Sequence, residues 1–193
     1  MKVGIIILSD KASRGEREDT CGPLLKKLVE GAGWEAAAVV VIPDERERLQ
    51  AVLIDLIDRK RLDFVLTSGG TGLGPRDVTP EATAEMIEKE VPGIAEMLRF
   101  TGYGKNPAAV LSRGIAGIRG RGLIVNLPGS PRAVAEGWER LQEIVPHALE
   151  VLQGRAVECA HIYPPSMDKY ERTHIYPPSV DKYERTQIPP RDV

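Results

Sequence analysis

Cysteine is scarce in this chain of 193 residues, which carries only Cys21 and Cys159. They fall far apart and outside any C-x-x-C spacing. Neither a disulfide framework nor a zinc site follows, and a reducing cytoplasm is the expected setting. A basic excess is also missing: 26 Lys and Arg stand against 28 Asp and Glu, a net charge of −2. Nucleic-acid binders usually show the opposite balance, so nucleic acid is not an expected partner. No apolar run approaches the roughly 20 residues of a membrane span, and no membrane association is expected. The apolar start, Val3 to Leu8, is too short for a signal peptide and runs into Ser9-Asp10-Lys11 without a cleavage-type segment. What is present, 42% hydrophobic and 28% charged residues, is ordinary for one globular domain with a tail.

The most informative stretch is Asp63 to Thr83. Phe64-Val65-Leu66 has the character of a buried strand. Gly69, Gly70, Gly72 and Gly74 follow it. Glycines at this density forfeit chain entropy unless the backbone must take positive φ or approach something closely. Thr79-Pro80-Glu81 then opens a helix, with Thr79 expected as N-cap and Pro80 in the first turn. Strand, glycine loop and helix N-terminus form an anion-binding layout. The loop lacks the Gly-Lys-Ser/Thr end of a Walker A motif, and its glycine spacing does not fit G-x-G-x-x-G. A tight turn without a ligand remains open. Asp77 argues against it, because a carboxylate beside a phosphate cradle repels the ligand unless a divalent cation lies between them. The pair points to a Mg²⁺-bound nucleotide.

Taken in order, the chain alternates strands and helices. Val3–Leu8, Ala36–Ile42, Phe64–Leu66 and Leu123–Val125 read as buried strands. Helices are expected near Pro23, over Leu49–Ile57 from its i, i+3, i+4 spacing, from Pro80 to about Glu90, near Ile94–Leu98, and after Ser130-Pro131. Pro146 should kink the last helix, and Gly154 should stop it. Ala108 to Arg113 reads as a helical turn, and Gly114, Gly117 and Gly120 as breakers. The expected fold class is α/β: three layers, a mostly parallel sheet with helices on both faces. Such sheets bind ligands beyond the carboxyl ends of their strands. Four strands there lead into Ser9-Asp10, Asp44-Glu45, Ser68-Gly69-Gly70-Thr71-Gly72 and Asn126-Leu127-Pro128-Gly129-Ser130. These loops should form one site, and Asp44 and Asp77 should converge on one cation. Arg76 is read as a phosphate ligand, with a pairing to Glu81 as the alternative. Trp138 belongs to the apolar stripe of its helix.

The domain is expected to span 1–157 and the tail 158–193. In the tail, His161–Thr173 is repeated as His174–Thr186 with Val180 in place of Met167. Two polar copies are too few for a solenoid. The Pro-rich repeats read as extended structure. They are either without chemistry or a clasp anchored by Tyr163, Tyr170, Tyr176 and Tyr183.

Ser68–Gly72, Arg76–Ala82, Leu111-Ser112-Arg113, Ala116–Gly120 and Asn126–Pro131, together with Ser9-Asp10 and Pro43-Asp44-Glu45, resemble the molybdenum-cofactor biosynthesis proteins. The nearest likeness is to the molybdopterin adenylyltransferase branch, which is similar to the G domain of gephyrin. The resemblance spans roughly residues 3–153. It implies a homotrimer and a Mg²⁺-dependent transfer of AMP from ATP to the terminal phosphate of molybdopterin. Hand-over of the product to the molybdenum-insertion enzyme is also implied. Asp44 and Asp77 then resemble the two required carboxylates and Mg²⁺ ligands, and Gly69–Gly72 the nucleotide cradle. Ser112, Arg113 and the Pro128–Pro131 loop resemble parts of the pterin or nucleotide pocket. No His or Cys lies in the four loops to act as a covalent nucleophile, and an ionised phosphate needs none. The competing reading is a molybdopterin carrier of the same fold that does not catalyse.

Overall fold

The structure, a computed structural model, describes residues 1–155; the duplicated tail sequence and the expected domain boundary at 157/158 lie outside the described residues. Six strands form one sheet: β1 (Lys2–Leu8), β2 (Glu35–Ile42), β3 (Phe64–Ser68), β4 (Lys89–Glu90), β5 (Ala116–Arg119) and β6 (Gly122–Leu127). Their spatial order is β2-β1-β3-β6-β5-β4. β2, β1, β3 and β6 are mutually parallel, and β5 and β4 add an antiparallel edge. The helices are α1 (Asp10–Ser13), α2 (Cys21–Gly31), α3 (Arg46–Ile54), α4 (Thr79–Ala84), α5 (Pro92–Tyr103) and α6 (Pro131–Leu152).

Alternation along the strands divides the core in two. Val3, Ile5 and Ile7 of β1 join Phe64, Leu66, Val125 and Leu127 in a layer closed by Leu25 and Val29 of α2 and by Val134, Trp138, Leu141 and Val145 of α6. Ile6, Leu8, Val65 and Ile124 face the opposite layer, closed by Leu49 and Leu53 of α3 and Ala82 of α4. The three-layer arrangement therefore follows from strands that are apolar on both faces. Trp138 is buried as its helical stripe requires, edge-on to Trp34 with ring centroids 5.0 Å apart. Ser130 caps α6 by accepting from the Ala133 amide, and the helix continues past Pro146. Gly154 follows at φ +69°, the left-handed stop expected of it. Among the described residues no helix is long and apolar enough to cross a membrane.

Four local expectations are corrected. The helix begun at Thr79 ends at Ala84 rather than near Glu90, because the chain beyond it joins the sheet. Glu88 N–H donates to Ile118 O at 2.7 Å, and Val91 N–H to Ala116 O at 2.8 Å. Gly117, read as a breaker, is a β5 residue; a Cβ there would meet the Ile87 side chain at 2.5 Å. Thr79 is the first helical residue rather than the cap, because its hydroxyl is committed to Gly69 O at 2.9 Å. The fourth lies in the Leu49–Ile57 stripe, which is α-helical only to Ile54. It continues as a wider π turn over Asp55–Arg59 that still buries Leu56 and Ile57.

Candidate active site

The parallel order β2-β1-β3-β6 carries four strand ends to one edge of the sheet. The glycine loop leaves β3 there. Gly69 lies at φ +110°, and a Cβ on it would sit 2.2 Å from Leu8 O; Gly70 lies at φ +63°. Both positions therefore exclude side chains, so the loop backbone can pass directly over the end of β1. The Gly69 amide bonds Leu127 O, but the amides of Gly70, Thr71 and Gly72 donate to no backbone carbonyl among the described residues. These free donors are what an anion cradle requires.

Arg113 fixes the loop's outer shape. Its backbone amide donates to Thr71 O at 2.8 Å, and its guanidinium donates to Gly72 O at 2.7 Å and Asp77 O at 2.6 Å. The same group pairs with Glu81 on α4. Burial works to raise the Glu81 carboxyl, yet its own backbone amide and Arg113 hold it below its usual range. Asp77 turns back onto the loop, with Oδ2 accepting from Gly74 N–H at 2.8 Å. Ser112 Oγ lies 3.4 Å from Thr71 Oγ1.

Asp44 stands behind Gly70, with Oδ1 3.2 Å from the place a Gly70 Cβ would occupy. Its Oδ2 accepts from Asp10 N–H at 2.9 Å. Burial pushes the Asp44 carboxyl above its ordinary range; the bond from Asp10 opposes this, and the charges of Asp10 and Asp77 add to the rise. Asp10 behaves oppositely, held below its ordinary range by the Arg76 guanidinium. Arg76 grips Asp10 with two bonds, at 3.0 and 2.9 Å. It therefore does not pair with Glu81, whose charge Arg113 answers.

An open cavity of about 650 Å³ lies against the loop. Gly70, Thr71, Gly72, Asp77, Ser112, Pro128, Gly129 and Ser130 line it. A second cavity of about 460 Å³ is lined by Ser9 and Ser68 and shares Gly129 and Ser130. Ser68 Oγ donates to Pro128 O at 2.9 Å, and Ser9 Oγ accepts from Ala12 N–H at 3.2 Å. Asn126 is an internal brace, with its amide donating to Thr67 and Thr83 and its oxygen accepting from Ile115 N–H.

Comparisons with known proteins place the chain in a family. Residues 4–147 match the family described as "Probable molybdopterin binding domain". The chain belongs to this family. A molybdopterin adenylyltransferase of Helicobacter pylori is 35% identical over 158 residues, 81% of this chain and 90% of that protein. The molybdenum cofactor synthesis protein cinnamon of Drosophila melanogaster is 40% identical over 151 residues, 77% of this chain; the match spans only 25% of that protein. The molybdopterin biosynthesis enzyme MoaB of Thermus thermophilus superposes with a TM-score of 0.76 at 48% identity, covering 81% of this chain and 99% of that one.

This molybdopterin-binding domain also has cavity residues that sequence reasoning missed. Lys105, Asn106, Arg132 and Glu136 also line the cavity. The i, i+4 spacing of Arg132 and Glu136 just after Ser130-Pro131 was a usable signal. Lys105, beyond the end of α5, gave none.

Proposed function

We propose that the chain is a molybdopterin adenylyltransferase acting on Mg²⁺-bound ATP. An oxygen of the terminal phosphate of molybdopterin forms a bond to the α-phosphorus of ATP. The bond from that phosphorus to the oxygen bridging to the β-phosphorus breaks, and pyrophosphate leaves. The observation that carries this reading is the row of unpaired Gly70–Gly72 amides, with Asp77 lining the same cavity and Asp44 standing directly behind Gly70.

The chemistry asks for two anions to be brought together, so the protein's task is positioning and charge compensation. Loop amides receive phosphate oxygens. Arg113 keeps those amides in place. The phosphate nucleophile is already ionised near neutral pH, so neither aspartate has to remove a proton.

Among the described residues no group of three or more His, Cys, Asp or Glu side chains is arranged around a metal. Two hard carboxylates suit Mg²⁺, which commonly takes one or two carboxylates and fills its shell with water and substrate phosphates. The raised Asp44 fits the same reading, since a buried carboxylate beside two like charges favours a cation neighbour. Bound there by Asp44 and Asp77, the ion would offset phosphate charge.

Assembly as a homotrimer is supported by apolar side chains left open on α5 and the turn packed on it: Phe100, Tyr103, Val110 and Leu111. A cytoplasmic setting accords with the buried free thiol of Cys21. The product is handed to the molybdenum-insertion enzyme.

The test is pyrophosphate release by purified protein given molybdopterin, ATP and Mg²⁺, with Asp77→Asn beside it. Turnover that collapses in the variant while molybdopterin still binds supports the reading. Binding without turnover in the wild-type protein would make the chain a carrier.

A further inference from the structure

In the cavity that Asp77 and the glycine loop line, one carboxylate holds two cations. Glu136 Oε1 lies 2.9 Å from Arg132 Nε and 3.3 Å from Lys105 Nζ. The Glu136 side chain is 15% exposed, whereas those of Lys105 and Arg132 are 49% and 71% exposed. The acid is thus sunk into the wall and the two bases stand over it, open to the cavity. The cluster carries a net charge of +1.

Stability does not account for this arrangement. Exposed ion pairs contribute little. Arg132 also lies in the first turn of the 22-residue α6, where a cation opposes the helix dipole, and that turn has no acidic residue to compensate. An unneutralised cation is therefore kept where the fold itself disfavours it, in the cavity that the loop with the free amides also lines.

We infer that Lys105 and Arg132 bind the phosphate group of a substrate, with Glu136 as the positioning residue that aims both cations into the cavity. This rests on the adenylyltransferase reading for its ligands. The phosphate is either the polyphosphate end of the nucleotide or the terminal phosphate of molybdopterin. Each places a phosphate in the cavity that Asp77 and the glycine loop also line.

Calorimetric titration separates the two sources. Wild type, Lys105→Gln, Lys105→Ala/Arg132→Ala and Glu136→Gln are each titrated with a non-hydrolysable ATP analogue with Mg²⁺, with pyrophosphate, and with molybdopterin. In the double variant, affinity falls about tenfold or more, the scale of one charged hydrogen bond. A loss confined to the analogue and pyrophosphate assigns the nucleotide end; a loss confined to molybdopterin assigns the acceptor phosphate. Glu136→Gln raises KM for the same substrate with kcat largely kept, and Lys105→Arg restores binding. Affinities within twofold of wild type for all three probes would overturn the inference. Equal loss of all three together with a lowered Tm would also overturn it, since that marks a structural role; half-exposed Lys105→Gln guards against misreading a folding defect. A wild-type protein without turnover whose variants still lose phosphate affinity would sink the enzyme reading and leave this subsite standing.

Discussion

Asp10 and Asp44 exchange hydrogen bonds: the Asp10 amide donates to Asp44 Oδ2 at 2.9 Å, and the Asp44 amide donates to Asp10 Oδ1 at 3.1 Å. This reciprocal pair ties the loop after β1 to the loop after β2. It fixes Asp44 by a neighbour that itself answers to Arg76. Asp10→Ala removes one of the two bonds and frees Arg76. Adenylation should drop by about tenfold or more through misplacement of Asp44, and Asp10→Asn, which keeps an acceptor oxygen, should lose less. Steady-state kinetics of the two variants check this, and equal loss in both would refute a positional role.

Asp44 also sets a pH dependence. Its folded value lies above its ordinary 3.8, chiefly through burial, so the native state holds this proton more tightly than the unfolded chain. The stability it contributes is present in acid and is lost as pH rises through the raised value. At pH 7 the ionised group is a strain on the fold. Asp44→Asn should therefore raise Tm at pH 7 while abolishing turnover, and the Tm gain should vanish below about pH 4. Addition of Mg²⁺ at pH 7 should stabilise the wild type more than this variant. Scanning calorimetry with EDTA or Mg²⁺ across that pH range measures both effects.

Gly69→Ala should be among the most damaging single changes in the chain. At φ +110° an L-residue is strained, and the obstacle at 2.2 Å is a backbone carbonyl that no rotamer change can move. A loss of about 3 kcal/mol or more is expected. Urea unfolding would measure it; a loss below about 1 kcal/mol would show that the loop rebuilds.

Arg113→Met should loosen the glycine loop. Its guanidinium bonds to Gly72 O, Asp77 O and Glu81, while its side chain stays about a third exposed. Allowing for solvent screening, the expected destabilisation is about 1–3 kcal/mol. Exchange of the bonded loop amides of Gly74 and Asp77 should accelerate well before global unfolding. Unchanged exchange there would mean that the loop holds its shape without Arg113.

Much of the architecture was legible because it rests on local patterns. Val3–Leu8 and Phe64–Leu66 are apolar without alternation, which only a strand covered on both faces satisfies. The stripe Val134, Trp138, Leu141, Val145 has helical spacing, and Ser130-Pro131 opens that helix as read. β4 and β5 were missed because both are short and β5 is interrupted by glycine; Gly117 is small to admit Ile87 from a neighbouring segment, a demand that no local window contains. In the same way Thr79 has the composition of a cap, but its hydroxyl is taken by Gly69.

By itself, the sequence determined which residues arrive at the site edge. Parallel strands that alternate with helices must deliver Ser9-Asp10, Asp44, the glycine loop and Asn126–Ser130 to the same side. Only the tertiary structure decided what each side chain does there. Arg76 closes on Asp10, Arg113 on the loop carbonyls, Asn126 on Thr67 and Thr83, and Glu136 on two cations at once. Backbone topology follows from periodic burial, a property of short windows. The partner of a charged side chain depends on which distant groups lie within about 3 Å, and that is settled only when the layers pack.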